Sequence, residues 1–143
     1  MQITIKRIDT ALPIPEYKTK GAAGFDLMTR EDIVIAPKCI GYAPLNIIIA
    51  VPEGHMLLLA PRSSLHKKGL DLANSVGIVD QDFRGEADEL RAALYNFSDN
   101  EVVLSRGDRI VQGIVSPIHV AEFVEVEMMD EPSRGGFGST GVR

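Results

Sequence analysis

Five short blocks concentrate the residues able to do chemistry in this chain. The richest runs from Asn74 to Glu86 and contains Asp80, Asp82 and Phe83. Asp80 follows an apolar stretch and can activate a water. Phe83 can pack on a sugar ring. Two apolar stretches meet around Gly77, which predicts a β-hairpin. A hairpin end offers unpaired backbone groups suited to the edge of a pyrimidine, and a surface turn with solvated charges is the alternative. Ala22-Ala23-Gly24-Phe25-Asp26-Leu27 sets a carboxylate between apolar side chains. That carboxylate can hold a water of a metal's hydration shell or serve as a turn acceptor. Pro61-Arg62-Ser63-Ser64 opens a short helix, where free N–H groups and an Arg suit an anion or simply cap a surface helix. Arg106–Gln112 reads as a Gly-Asp turn followed by a strand that places Gln112 near its beginning, or simply as a turn and a core strand. Arg134-Gly135-Gly136-Phe137-Gly138-Ser139-Thr140-Gly141 has the composition of a phosphate-cradling loop or of an unstructured tail. No Lys follows its glycines and no strand precedes it, so it is not a Walker A loop.

These blocks need a scaffold, and the pattern around them has a period of two. Ile3 and Ile5 alternate with Thr4 and Lys6, and Ile8 extends the series. Ile33 and Ile35 alternate too, as does Phe123-Val124-Glu125-Val126-Glu127. Ile47–Val51 and Met56–Leu59 are continuous aliphatic runs, as strands buried on both faces require. Gly-, Pro- and Asn-rich breaks separate the runs. The reading is an all-β single domain, a jelly roll or β-barrel, with one short helix ended by Gly69. Residues 1–129 form the predicted body and 130–143 a flexible glycine-rich tail. Ala87–Leu94 looks helical by propensity alone.

Composition limits the function classes. The chain has 143 residues, 45% hydrophobic, with a net charge of −5. That charge argues against a general nucleic-acid binder. The single cysteine, Cys39, permits no intrachain disulfide and suits a reducing compartment. The N-terminus lacks a signal-peptide layout, and no apolar run approaches the roughly 18 residues that cross a bilayer. A cytoplasmic location without membrane contact is expected.

Taken in order, the five blocks closely resemble the trimeric dUTPase family, the deoxyuridine triphosphate nucleotidohydrolases. Its motifs read approximately AGxDL, PRSS or PRSG, GxIDxDYRGE, GDRIxQ and RGxGGFGSTG. The resemblance spans Ala22 to Gly141. It implies hydrolysis of dUTP to dUMP and pyrophosphate by water attack on the α-phosphorus. Such an activity keeps uracil out of DNA and supplies dUMP for dTMP synthesis. It implies a homotrimer with shared active sites and dependence on Mg²⁺. Asp80 then orients and deprotonates the water. The stretch through Asn74, Gly77 and Val79 binds uracil by main-chain groups, and Phe83 packs under the deoxyribose. Arg62, Ser63, Ser64 and Gln112 hold the phosphates. Asp26 orients water around a Mg²⁺ that the triphosphate itself chelates. In the tail, Phe137 stacks on uracil, and Arg134, Ser139 and Thr140 contact the γ-phosphate. Gly138 belongs to the same substrate-binding stretch, which the family delivers from another subunit.

Two features depart from the family pattern. Phe83 stands where the motif has Tyr, so a phenol hydroxyl is lost. The stretch after Arg84-Gly85-Glu86 is about two residues longer than usual. A widened loop at Ala87–Leu90, with a strand resuming near Arg91, is the expected result. The rival functions are a dCTP deaminase of the same fold and a dUTP-responsive regulatory trimer.

Overall fold

The computed structural model describes residues 1–136. Its β-strands are β1 (Thr4–Arg7), β2 (Phe25–Met28), β3 (Ile33–Ile35), β4 (Ile40–Pro44), β5 (Ile47–Ala50), β6 (His55–Pro61), β7 (Leu70–Leu72), β8 (Gly77–Val79), β9 (Arg91–Asn96), β10 (Val102–Leu104) and β11 (Arg109–Pro117). Every pairing is antiparallel. The largest sheet runs β2-β11-β6-β8. A second runs β4-β9-β7, and β1-β5 and β3-β10 pair separately. The all-β expectation holds, and the only helix among the described residues is a 3-10 turn, Leu65–Lys68.

Burial explains the strands. In β9, Ala92, Leu94 and Asn96 point inward and alternate with exposed or half-buried neighbours. β5 is apolar throughout because Ile47, Ile48 and Ile49 are all buried. β6 departs from that pattern: only Leu57 and Leu59 are fully buried, and Met56 and Leu58 are half-buried. Leu27, Ile35, Leu45, Leu70, Leu104 and Ile110 complete the packed interior.

Two buried asparagines fasten loops to this core, since buried polar groups require partners. The Asn96 amide donates to the carbonyls of Ile35 (2.9 Å) and Asn100 (2.8 Å). Its oxygen accepts from the backbone N–H of Ser98. Asn46 sits at a left-handed φ of 64° between β4 and β5, a conformation Asn tolerates better than most residues. Its side chain both accepts from and donates to the Asp9 backbone.

Three expectations need correction. The segment from Asn74 is no hairpin: β7 pairs with β9, while β8 pairs with β6 in the other sheet. The chain changes sheets at the turn where Ser75 N–H donates to the Leu72 carbonyl. Residues 123–127 form no strand, and Phe123 is 94% exposed, because nothing among the described residues pairs with them. Ile8 lies beyond β1 and is exposed. The widened loop is as expected, with β9 starting at Arg91.

Candidate active site

β8 is the outer strand of its sheet, so one row of its backbone groups has no ladder partner. Gly77 lets β8 approach β6 closely, since a Cβ there would lie 3.1 Å from the Leu59 Cβ. Val79 is buried under the strand, and the chain then turns, with Phe83 N–H donating to the Asp80 carbonyl. A cavity of about 440 Å³ opens beside this strand. Asn74, Gly77, Val79, Asp80 and Phe83 all line it. The structure therefore brings the base, sugar and water-activating candidates together.

The far wall of that cavity is the widened loop, through Ala87 to Arg91. Its position is fixed by charge. Glu89 accepts from Arg30 Nε (2.8 Å) and Nη2 (3.0 Å) and from Asn46 N–H (2.9 Å). This carboxylate raises the Arg30 guanidinium further above its ordinary value. Asp88 accepts from Gly85 N–H, and Lys6 pairs with Glu86.

The phosphate candidates gather elsewhere. A cavity of about 220 Å³ is lined by Asp26, Arg62, Ser63 and Gln112, with Lys18, Thr19 and Gly24. Asp26 lies on β2 and is largely buried. Arg62 Nε reaches its Oδ1 at 2.8 Å and Arg109 Nη1 its Oδ2 at 3.1 Å. Gln112 on β11 donates to the Pro61 carbonyl at 3.1 Å. Ser64 caps the 3-10 turn by position only, because its hydroxyl makes no cap bond. The turn ends on Gly69 at φ 78°, as a left-handed cap requires. Arg109 was not singled out by the sequence, although it directly follows the Gly107-Asp108 turn.

The two cavities lie apart on one chain. Val79 pairs with Leu57, which sets Asp80 beside Met56 at one end of β6. Arg62 follows the other end of β6. The distance along the strand is about 20 Å at ~3.4 Å per residue. Arg134 is exposed, and Phe137, Gly138, Ser139 and Thr140 lie outside the described residues.

The family model described as dUTPase matches residues 10–141. The chain belongs to the dUTPase family. It is 42% identical over 145 residues to a Helicobacter pylori protein named deoxyuridine 5'-triphosphate nucleotidohydrolase, covering 99% of this chain and 98% of that one. Among solved structures it is similar to a dUTPase from Streptococcus mutans, with 33% identity, a TM-score of 0.76, and 83% of this chain and 98% of that one covered. It also resembles a Tyr-to-Phe mutant of the staphylococcal bacteriophage 80alpha dUTPase solved with dUpNHpp. That match has 25% identity, a TM-score of 0.85 and 99% coverage of both chains. The dUTPase match therefore spans both cavities.

Proposed function

We infer that this protein hydrolyses dUTP to dUMP and pyrophosphate. The observation that carries the reading is the cavity in which the free edge of β8, Asp80 and Phe83 meet. The unpaired backbone row of β8 pairs with the uracil edge, and thymine, with its 5-methyl group, is rejected, as the family resemblance implies. Phe83 lies under the deoxyribose. Asp80 accepts a proton from the water that attacks the α-phosphorus, as a general base must be placed to do. Arg62, Ser63, Ser64 and Gln112 hold the phosphates, so binding through remote oxygens aligns the reacting one.

Mg²⁺ fits this donor set. Asp26 is the single carboxylate lining the phosphate cavity. No group of three or more His, Cys, Asp or Glu suited to a metal exists among the described residues. A cation held by triphosphate oxygens and its own waters needs no protein cage. It would offset charge on the triphosphate, with Asp26 facing its water shell.

The separation of Asp80 from Arg62 along β6 supports a site completed by another copy of the chain, in a homotrimer. Residues 1–129 act as the body, and the tail 130–143 closes over the nucleotide through Arg134, Phe137, Gly138, Ser139 and Thr140. No helix among the described residues is long and apolar enough to cross a membrane. The lone cysteine, Cys39, supports a reducing cytoplasmic setting.

Pyrophosphate release measured on dUTP, dTTP, dCTP and UTP, with and without Mg²⁺, tests the reading. Release from dUTP alone, lost on chelation, is the expected result. Ammonia from dCTP, or equal rates on all four, would overturn it. Asp80→Ala should abolish turnover and still bind a non-hydrolysable dUTP analogue. Equal loss of both would remove Asp80 from its role.

A further inference from the structure

Among the described residues, the cations lining the phosphate cavity are Lys18 and Arg62. Arg62 has a place in the reading above, and Lys18 has none. Lys18 belongs to the loop between β1 and β2 and lies outside every strand. The loop is nonetheless fastened at the residues around it. The Glu16 carbonyl accepts from the N–H of Asp26 on β2 at 3.2 Å, and the Thr19 carbonyl accepts from the Ala22 N–H at 3.1 Å. The Tyr17 ring stands edge-on to the Phe25 ring of β2, with centroids 5.7 Å apart.

Charge in this region is unbalanced. Arg62 and Arg109 share the Asp26 carboxylate. The register of β11 against β2 shifts between Arg109 and Val111, a bulge that returns the Arg109 guanidinium to Asp26. Lys18 pairs with Glu16. The Lys18 ammonium beside Glu16, and more weakly the Arg109 charge, hold its carboxyl below the usual carboxylate range. In this group three cations meet two carboxylates, an excess that attracts a polyanion.

An ammonium carries three N–H donors. One serves Glu16, which leaves two for phosphate oxygens with no contact broken. The Lys18 side chain is 45% exposed, and an exposed ion pair contributes little to fold stability. The pair therefore accounts for where the ammonium is held, not for how the loop is held.

We propose that Lys18 is a further substrate-binding residue, held by Glu16 at the wall of the phosphate cavity to contact the β- and γ-phosphates. The inference rests on the hydrolase reading given above. That reading puts the α-phosphorus at Asp80, so the oxygens that reach Arg62 and Lys18 belong to the phosphates beyond it.

Calorimetry with Mg²⁺ and a non-hydrolysable α,β-imido dUTP tests the contact. Lys18→Met keeps an unbranched stem and removes the charge. It should bind the analogue about tenfold more weakly, bind dUMP as wild type does, and melt at the wild-type temperature. The deficit should shrink at high salt, because exposed charges are screened. Lys18→Arg should restore most of the affinity. Lys20 is near in sequence but does not line the cavity, so Lys20→Met should bind the analogue as wild type does. On dUTP, Lys18→Met should raise KM and leave kcat within about twofold, as loss of a contact made equally before and during reaction does. Wild-type affinity in Lys18→Met, an equal loss for dUMP, or an equal loss in Lys20→Met would overturn the proposal. Inorganic tripolyphosphate binding that is lost in Lys18→Met, in a protein whose wild type releases no pyrophosphate from dUTP, would uphold the anion contact and defeat the hydrolase reading.

Discussion

Phe83 is 42% exposed and lines the same cavity as Asp80. On the proposed function, truncating it removes apolar contact with the sugar worth about 1.5–3 kcal/mol. Phe83→Ala should raise KM for dUTP by roughly tenfold or more and narrow the preference over UTP, with steady-state kinetics as the readout. An unchanged KM would remove Phe83 from the sugar site. That Phe83 and Asp80 share one cavity was legible in the sequence because they lie three residues apart about one tight turn. Arg109 was not legible. Its partner Asp26 lies 83 residues away, and the contact exists only because a bulge in β11 brings the guanidinium back. No local pattern encodes that meeting.

At the scale of elements, the loop at 87–90 shows how a segment is held without a helix or strand of its own. Its wall position depends on Glu89, whose side chain is 10% exposed and serves Arg30 and the Asn46 N–H together. Glu89→Ala leaves a partly buried guanidinium and a backbone donor unmatched. A loss of about 2–3 kcal/mol in denaturant unfolding is expected. A change within experimental error would show the loop is held by other contacts. Gly113 on β11 is similarly constrained, because a Cβ would lie 2.5 Å from the Phe25 ring. Gly113→Ala should cost about 1–3 kcal/mol and weaken nucleotide binding, since Phe25 adjoins Asp26 on β2. The restart of β9 at Arg91 was legible only through the family resemblance, since Ala87–Leu94 looks helical by propensity alone, whereas the run of β5 could be read directly from its continuous aliphatic residues. The supposed hairpin could not. An alternating segment states which face is buried, never which strand will receive it, and here the chain changes sheets between β7 and β8.

At the scale of the whole molecule, the β6 register sets Asp80 and Arg62 at opposite ends of one strand, which on the proposed function separates water activation from phosphate holding. On the proposed trimer, a chain lacking Asp80 and a chain lacking Arg62 fail for different reasons. Asp80→Ala and Arg62→Ala variants, each inactive alone, should regain activity when unfolded and refolded together. Mixed assemblies then contain sites built from one intact copy of each residue. No recovery, or a monomer by light scattering, would place both groups in one chain. Removing residues 134–143 should lower turnover by orders of magnitude while the melting temperature stays within a few degrees, because no described strand extends past Pro117. The alternation at 123–127 belongs to this scale as well. Its pattern is that of a strand, and a partner in its own chain is missing among the described residues.

The distance between Asp80 and Arg62 along β6 has a kinetic consequence. In most enzymes dilution lowers the rate in proportion to the protein, because each molecule carries its own site. Here, on the proposed assembly, dilution dismantles the site itself. Activity per milligram should therefore fall below a threshold concentration set by subunit affinity. It should rise again when nucleotide is added before dilution, since a ligand bridging two chains holds them together. Substrate would then act as a glue for the catalyst that consumes it.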